Sequence, residues 1–124
     1  MVEVSIIIPT KNRPQLLNRA INSVINQTYQ NWELLIINDS ESEVSINFSD
    51  TRIQLAKNSY KPGANGARNT GINLATGKYI TFLDDDDTWK SDKLLKQVKK
   101  MESQNAILCY TGKKIIYQKK TNRK

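Results

Sequence analysis

Apolar residues along this chain fall into two alternating kinds of run. Five short runs, mostly of isoleucine, valine, leucine and aromatic residues, stop at polar or proline residues, which predicts strands buried on both faces of a parallel sheet. These predicted strands are residues 4–8, 32–37, 52–55, 79–83 and 106–110. The third is the shortest and has the weakest signal.

Between the strands, apolar residues recur every three or four positions, which is the period of an amphipathic helix. The predicted helices begin near Pro14, after the loop at 61–66, and at the capping residue Ser91. Strands that alternate with helices of this length imply right-handed crossover connections. The sequence therefore predicts an α/β fold, a Rossmann-like and mainly parallel sheet with helices on both faces.

Polar side chains follow several predicted strands at the point where each strand ends. Pro9 and Thr10 follow the first strand, Asp39 follows the second, and four aspartates at 84–87 follow the fourth. In such sheets ligands bind beyond the carboxyl ends of the strands, so we expect these residues to line one crevice. Asp39 is either a ligand for a ribose or base in that crevice or an ordinary turn former.

Four successive carboxylates after a buried strand are electrostatically costly, because neighbouring like charges resist ionising together. A divalent cation offsets that cost, and Mg²⁺ and Mn²⁺ prefer oxygen ligands. We expect Asp84 and Asp86 to share one face of an extended segment, with Asp85 opposite. The alternative is an acidic, solvated turn before the next helix. Trp89 either covers a sugar or packs at the start of that helix, and we favour packing.

The chain has 124 residues and a net charge of +7, and its excess positive charge lies near the C-terminal end. Through Asp87 there are eight lysines and arginines against ten acidic residues, and from Thr88 onward there are eleven against two. A solvated helix face with a tail, or attraction to an anionic membrane or acidic partner, explains this distribution. No aromatic pattern supports base readout, so no nucleic-acid partner is expected.

Histidine is absent and cysteine occurs once, which excludes a Ser-His or Cys-His nucleophile and an internal disulfide in this chain. We expect that cysteine, Cys109, to pack in the core, because it lies in an apolar run. No apolar run approaches the roughly 20 residues that span a bilayer, and no signal peptide is apparent. The expected location is cytoplasmic, with peripheral contact at the inner face of the membrane.

Five segments, taken together and in this order, resemble the family 2 glycosyltransferases, which are nucleotide-diphospho-sugar transferases with the GT-A fold. The segments are VSIIIPTKNR at 4–13, SVINQTY at 23–29, WELLIINDS at 32–40, GARNTGI at 66–72 and GKYITFLDDDD at 77–87. The resemblance covers residues 2–110. It implies the nucleotide-sugar-binding half of a GT-A domain over 1–112, followed at 113–124 by a basic tail or by the start of an acceptor-side half.

The resemblance also implies roles for individual residues. The nucleotide-binding set that it implies is Pro9, Thr10, Asn12, Arg13, Asp39, Arg68, Asp84 and Asp85. Asp84 and Asp86 match the family's D-x-D element, in which these two residues hold a divalent metal, Mn²⁺ or Mg²⁺, against the donor diphosphate. Arg68 taken alone is equally typical of a surface ion pair. Asn38 stands where the family usually has an acidic residue.

By resemblance, the reaction is transfer of a sugar from the metal-bound nucleotide to an acceptor hydroxyl, in polysaccharide or glycoconjugate synthesis. A UDP-sugar is the favoured donor, with a GDP- or dTDP-sugar as alternatives, and the expected acceptor is a glycan or lipid-linked glycan. The chain offers no credible general base, since Asp92 and Glu102 belong to a predicted helix. We therefore expect an incomplete form of the enzyme. Its cut edge would expose apolar surface, which favours a homo-oligomer.

Two other functions remain open. The first is a non-catalytic nucleotide-binding or interaction module of the same fold, which the missing general base favours. The second is a nucleotidyltransferase, which typically opens with a glycine-rich loop after the first strand, whereas residues 9–13 contain no glycine. Neither the G-x-G-x-x-G spacing nor a P-loop signature occurs, which argues against those two nucleotide-binding classes.

Overall fold

Strands and helices alternate along the chain as the sequence predicts. The computed structural model describes residues 1–104, 108–111 and 114–118. Its elements are β1 (Val4–Thr10), α1 (Pro14–Ile25), β2 (Trp32–Asn38), β3 (Ile53–Lys57), α2 (Ala64–Leu74), β4 (Tyr79–Phe82), α3 (Lys93–Gln104), β5 (Leu108–Thr111) and β6 (Lys114–Gln118). Each of the five predicted strands is confirmed to within two residues at either end.

The strands form one sheet in the order β3-β2-β1-β4-β6-β5. β1 pairs in parallel with both β2 and β4, and β2 pairs in parallel with β3. β6 runs antiparallel to β4 and to β5. The predicted mainly parallel α/β sheet is therefore confirmed, with an antiparallel extension at one side.

Strand β6 lies where the sequence predicts a basic tail or the start of an acceptor-side half. Ile115, Ile116 and Tyr117 form a short apolar run there, but the lysines on both sides hide its strand signal. The predicted boundary after residue 112 falls between β5 and β6, which pair with each other. Residues 119–124 and the side chain of Cys109 lie outside the part of the chain that the structure describes, so the predictions about them stay predictions.

Alternate residues of the central strands point to opposite faces of the sheet, and helices cover both faces. On one face, Ile6 and Leu34 pack with α1 and α3. On the other face, Ile7 and Leu35 pack with Ala67 of α2. All five side chains are at most 1 % exposed, which explains why these strands are continuous apolar runs in the sequence. Within the described residues, none of the helices combines the length and apolar character that crossing a bilayer requires.

Gln27, just after α1, ties the end of α1 to the start of α3. Its Nε2 donates to the carbonyl oxygens of Ser23 and Lys90 at 3.0 and 2.7 Å. Its Oε1 accepts from the Leu94 N–H at 3.0 Å, which satisfies one of the donors that a helix leaves unpaired in its first turn. Trp89 is buried in the core cluster that also contains Leu94 of α3, which confirms the favoured packing role.

Candidate functional site

The loops after β1, β2 and β4 meet at one edge of the sheet, as the rule for carboxyl ends of strands predicts. Between them lies a cleft of about 200 Å³. Its lining includes Pro9, Thr10, Arg13, Asp39, Gly63 and Asp85. Asp39 and Asp85 of the acidic run at 84–87 thus share a cavity, although β3, α2 and β4 separate them in the sequence.

Asp85 is the buried member of the acidic run, and it joins the run to the end of β1. It is 7 % exposed, and its Oδ2 accepts a hydrogen bond from Thr10 Oγ1 at 2.9 Å. Its Oδ1 lies 3.4 Å from Nη1 of Arg13. Both oxygens therefore have partners within the protein, as a buried charge requires. Asp85 fixes the position of its neighbours, and its nucleotide contact stays a prediction.

The acidic run turns instead of continuing as the predicted extended segment. The Asp87 N–H donates to the Asp84 carbonyl oxygen at 3.1 Å, which closes a turn around residues 85 and 86. β4 ends at Phe82, so no ladder holds the following residues extended, and aspartate favours turns. The expectation that residues 84–86 form an extended segment is therefore wrong, and a shared metal contact of Asp84 and Asp86 stays a prediction.

Asp84 and Asp86 are both about half exposed, and a different arginine contacts each. Nη2 of Arg68 lies 3.4 Å from Oδ1 of Asp84, and Nη1 of Arg13 lies 3.4 Å from Oδ2 of Asp86. Arg13 precedes α1 and Arg68 lies in α2, so the two cations approach from opposite faces of the sheet. Both contacts are at the long end of hydrogen-bonding distance. Arg68 makes an ion pair here, and its nucleotide role stays a prediction.

Asp39 is held by hydrogen bonds to both of its carboxylate oxygens. Asn58 Nδ2 donates to Oδ1 at 2.8 Å, and the Gly63 N–H donates to Oδ2 at 2.7 Å. The Asn58 bond, then the Gly63 bond and the charge of Lys11, hold the pKa of Asp39 below its usual value, against the raising effect of burial. The backbone N–H of Asp39 donates to the Thr10 carbonyl oxygen at 2.9 Å. Asp39 is therefore an ionised and oriented acceptor in the wall of the cleft.

Asn58, which directly follows β3, is a site residue that the sequence motifs do not include. Besides contacting Asp39, its Nδ2 donates to the Lys61 carbonyl oxygen at 2.9 Å. Its Oδ1 accepts from Thr70 Oγ1 of α2 at 2.7 Å. Asn58 thus fastens the loop after β3 both to Asp39 and to α2. The rule for carboxyl ends also points to this position, but the weak signal of the third strand places its predicted end at residue 55.

Gly66 allows α2 to lie close to the same loop. A Cβ atom at this position would lie 1.9 Å from the Lys61 carbonyl oxygen and 3.3 Å from Asn58 Nδ2. Because the nearest atom belongs to the backbone, a side chain at Gly66 would displace the loop that orients Asp39. The GARNTGI segment therefore shapes the site through its first glycine as well as through Arg68.

A second, larger cleft of about 560 Å³ adjoins the first and shares Lys11 and Asp39 with it. Its lining includes Asn12, Asn38, Ser40, Lys57, Tyr60 and Pro62. Asn12, one of the predicted nucleotide-binding residues, has a φ of 56°, in the left-handed region that asparagine adopts more readily than most residues. No sequence motif includes Lys57 or Tyr60, so the sequence does not predict that either residue lines a cleft.

Asn38 shapes the loop between the two clefts. Its Oδ1 accepts from the backbone N–H and the hydroxyl of Ser40 at 2.9 and 2.7 Å, and its Nδ2 donates to the Ser42 carbonyl oxygen at 2.9 Å. An acidic residue, which the resemblance implies at this position, could accept from Ser40 but could not donate to Ser42. The departure from the family pattern therefore stabilises the loop that follows Asp39.

The acidic run supplies the oxygen atoms that Mg²⁺ and Mn²⁺ prefer, but it is not a complete cage. Across residues 1–104, 108–111 and 114–118, no group of three or more histidine, cysteine, aspartate or glutamate side chains is placed to hold a metal ion. Asp84 and Asp86 present half-exposed carboxylates on either side of Asp85 in the sequence, and Asp85 lines the cleft. Mg²⁺ commonly takes one or two carboxylates and completes its shell with water and phosphate oxygens. These residues therefore fit a cation that binds together with a diphosphate.

The chain matches the family model of glycosyl transferase family 2 over residues 5–124. It belongs to that family. The resemblance of the five sequence segments is thereby confirmed, and solved glycosyltransferase structures share the fold. The cleft at the carboxyl edge thus lies in a GT-A fold.

A relative from Escherichia coli is named UDP-Glc:alpha-D-GlcNAc-diphosphoundecaprenol beta-1,3-glucosyltransferase WfgD. It is 44 % identical over 117 residues, which cover 91 % of this chain and 46 % of the relative. The mannosyltransferase PcManGT from Pyrobaculum calidifontis, solved with GDP-Man and Mn²⁺, is 16 % identical, with a TM-score of 0.74 over 94 % of this chain and 44 % of that one. S. aureus TarS 1-349, solved with UDP-GlcNAc, is 19 % identical, with a TM-score of 0.70 over 86 % and 33 %. The chain therefore spans about half the length of the E. coli relative.

Proposed function

We propose that this chain binds the nucleotide-diphospho-sugar donor of a glycosyltransferase at the carboxyl edge of its sheet. The observation that carries the proposal is the cleft that Asp39 and Asp85, the anchored member of the acidic run, both line. Membership of glycosyl transferase family 2 supports the same conclusion. The reaction is transfer of the sugar from the nucleotide to a hydroxyl group of an acceptor.

The nucleoside part of the donor binds against the loops after β1 and β2. Asp39 accepts a hydrogen bond from the base or ribose, because its carboxylate is ionised and Asn58 orients it. Pro9 and Thr10 lie against the base, with Asn12 in the wall of the adjoining 560 Å³ cleft. These contacts position the donor, and positioning supplies a large part of the rate of a group transfer.

The diphosphate part binds beside the acidic run. Asp86 and Asp84 would hold Mn²⁺ or Mg²⁺ together with phosphate oxygens, and such a cation neutralises the charge that grows on the leaving diphosphate. Arg13 and Arg68 supply guanidinium groups, which pair with two phosphate oxygens at once. Asp85, anchored on Thr10, keeps these groups in place. The Mn²⁺ in the PcManGT structure, which shares the fold, supports the assignment of a divalent cation.

The favoured donor is a UDP-sugar. The E. coli relative is named for UDP-Glc, and TarS was solved with UDP-GlcNAc, whereas PcManGT was solved with GDP-Man. A GDP- or dTDP-sugar is the alternative. The name of the E. coli relative also gives a diphosphoundecaprenol-linked acceptor, which supports a lipid-linked glycan as the acceptor here.

A lipid-linked acceptor requires the enzyme to work at a membrane, and α3 offers a surface for that contact. Lys90, Lys96, Lys99 and Lys100 are all exposed on α3 or just before it, and we call them the lysine face. A lysine close to an anionic lipid surface contributes about 1 kcal/mol to binding. The proposal therefore includes peripheral contact of the lysine face with anionic phospholipid at the cytoplasmic side of the membrane.

A non-catalytic nucleotide-binding module is the second candidate function. The observation that favours it is the position of the two carboxylates that follow the acidic run. Asp92 pairs with Lys96 at 3.0 Å, and Glu102 is exposed on α3, so neither belongs to the lining of the cleft. Both candidates require nucleotide binding, and only the transferase also releases UDP when an acceptor is supplied.

Calorimetric titration of the chain with UDP tests the shared requirement. We expect UDP to bind in the presence of Mn²⁺, and Asp86→Ala to weaken that binding by about tenfold or more, because a charge-assisted contact contributes roughly 1.5–3 kcal/mol. Asp92→Ala is the matched control, since it removes a carboxylate outside the cleft and should bind UDP as the wild type does. Equal UDP affinity of Asp86→Ala and wild type would contradict the role of Asp86. Failure of the wild type to bind UDP or GDP would contradict the nucleotide site itself.

A further inference from the structure

We propose that Arg13 couples cation binding to nucleotide binding, because it pairs with Asp86 until a diphosphate takes the place of that carboxylate. The inference rests on the proposed function and adds to it an energetic link between the two ligands. Arg13 is then a positioning residue for the acidic run as well as a contact for the donor.

Arg13 contacts the acidic run and also lines the cleft. Its Nη1 lies 3.4 Å from Oδ1 of Asp85 and 3.4 Å from Oδ2 of Asp86. Arg13 also lines the 200 Å³ cleft together with Thr10 and Asp39. Arg13 therefore joins the acidic run to the lining of the proposed nucleotide site.

The contact between Arg13 and Asp86 is of a kind that a ligand can replace. The two side chains are 50 % and 55 % exposed, so water solvates both and little is lost when they separate. The neighbouring bond from Thr10 to Asp85 is different, because it is buried and measures 2.9 Å. The structure therefore combines a fixed anchor at Asp85 with an exchangeable ion pair at Asp86.

Arg68 holds the corresponding place at Asp84, but it is more firmly held. Its Nη1 also donates to Asn65 Oδ1 at 3.2 Å, and its guanidinium carbon lies 5.9 Å from the centre of the Phe82 ring. Its side chain is 32 % exposed, against 50 % for Arg13. These additional contacts favour Arg13 as the arginine that moves between partners.

Two competing interactions then link the ligands. A cation that approaches Asp86 meets the like charge of Arg13, which weakens binding of the cation alone. A diphosphate offers Arg13 a contact with two oxygens at once in place of its two 3.4 Å contacts, so Arg13 turns toward it and leaves Asp86 to the cation. Asp85 keeps its buried hydrogen bond from Thr10. Each ligand therefore raises the affinity for the other, and by the same factor, as linkage requires.

Binding of Mn²⁺ to the chain, followed by the paramagnetic resonance signal of free Mn²⁺, tests this inference without any activity measurement. We expect Arg13→Gln to bind Mn²⁺ alone about two- to fivefold more tightly than the wild type, the range for removal of an exposed ion pair. The factor by which saturating UDP raises Mn²⁺ affinity should shrink in the same variant. Arg13→Lys keeps the charge and should behave as the wild type in Mn²⁺ binding without UDP.

Two further variants locate the effect. Arg19→Gln makes the same charge change at an exposed position of α1 outside the cleft, and it should bind Mn²⁺ as the wild type does. When Asp86 is also replaced by Ala, Arg13→Gln should no longer tighten Mn²⁺ binding, because the competed carboxylate is gone.

Equal Mn²⁺ affinities for Arg13→Gln and Arg19→Gln would overturn the inference. So would tighter Mn²⁺ binding by Arg13→Gln that persists without the Asp86 carboxylate. If no form of the chain binds UDP, the proposed nucleotide site fails, and with it the coupling. In that case the titrations with Mn²⁺ alone still show whether Arg13 competes at Asp86.

Discussion

Replacement of Asn58 by alanine is the perturbation that connects the fold most directly to the site. The Asn58 side chain donates to Asp39 Oδ1 and to the Lys61 carbonyl oxygen, and it accepts from the Tyr60 N–H and Thr70 Oγ1. Alanine removes all of these side-chain hydrogen bonds but does not itself force a change in the backbone conformation. We therefore expect Asn58→Ala to loosen the loop after β3 and to release one oxygen of Asp39.

The size of the effect follows from the exposure of the partners. At about 0.5–1.5 kcal/mol net for each bond, loss of the whole set would cost about 2–6 kcal/mol. Asp39, Tyr60 and Lys61 are partly or fully exposed, so water replaces much of what they lose. Thr70 keeps a second acceptor, the Gly66 carbonyl oxygen at 3.2 Å. We expect the free energy of unfolding to fall by about 1–3 kcal/mol.

The same change should weaken nucleotide binding by a smaller amount. Asp39 keeps the hydrogen bond from the Gly63 N–H at 2.7 Å, so its carboxylate loses only part of its orientation. Loss of one hydrogen bond to the ligand-binding carboxylate corresponds to about three- to tenfold weaker binding of UDP.

Urea unfolding followed by circular dichroism measures the change in stability, and calorimetry with UDP and Mn²⁺ measures the change in affinity. Asn73→Ala is the matched control, because Asn73 is an exposed residue of α2 that bonds to the Tyr60 hydroxyl group. We expect it to change the free energy of unfolding by less than about 0.5 kcal/mol. Unchanged stability and UDP affinity in Asn58→Ala, or equal losses in Asn73→Ala, would refute the reasoning.

Two further predictions concern charge. The pKa of Asp39 is lowered in the folded chain, chiefly by the Asn58 hydrogen bond, so its carboxylate stabilises the fold above the unfolded-state pKa. That contribution is lost as the pH falls through the lowered pKa of the folded state. The urea midpoint of Asp39→Asn should therefore vary less with pH below about pH 4 than that of the wild type. An equal pH dependence of the two midpoints would contradict this. Changing Lys96, Lys99 and Lys100 to glutamate should weaken co-sedimentation with anionic phospholipid vesicles by about tenfold or more, and leave UDP affinity unchanged. Equal binding of wild type and variant, or equal binding of the wild type to uncharged vesicles, would count against the lysine face.

The predictable part of the fold is the part that is buried on both sides. Ile6 and Ile8 pack on one face of the sheet and Ile7 packs on the other, and all three are fully buried. No polar residue therefore interrupts their run, and the sequence predicts the strand. β6 is different, because its apolar run is short and lysines surround it. Its place between β4 and β5 depends on pairing with both, which a local pattern does not contain.

The candidate site divides in a similar way. That Thr10, Asp39 and the acidic run meet is predictable, because the carboxyl ends of parallel strands lie at one edge. The sequence does not predict which carboxylate of the run accepts the hydrogen bond from Thr10, since Thr10 and its acceptor Asp85 are 75 positions apart. The role of Asn58 is not predictable for the same reason, because its contact with Asp39 depends on how the loop after β3 folds back toward that residue.

The charges of the acidic run lead to one conclusion about sequence and structure together. Adjacent carboxylates repel one another, so a nearby positive charge stabilises them, and from the sequence alone a divalent cation is the expected source of that charge. Within the described part of the chain, the structure also provides counter-charge of its own, from Arg13 on the α1 side and Arg68 on the α2 side. Since the same arginines suit phosphate oxygens, a diphosphate and a cation can together replace the ion pairs at Asp84 and Asp86, while Asp85 keeps its hydrogen bond from Thr10. The repulsion among adjacent carboxylates, which points to a metal, is therefore also the reason that arginines pair with them and can exchange for a cation. The Mn²⁺ titration of Arg13→Gln tests the metal site and this exchange together.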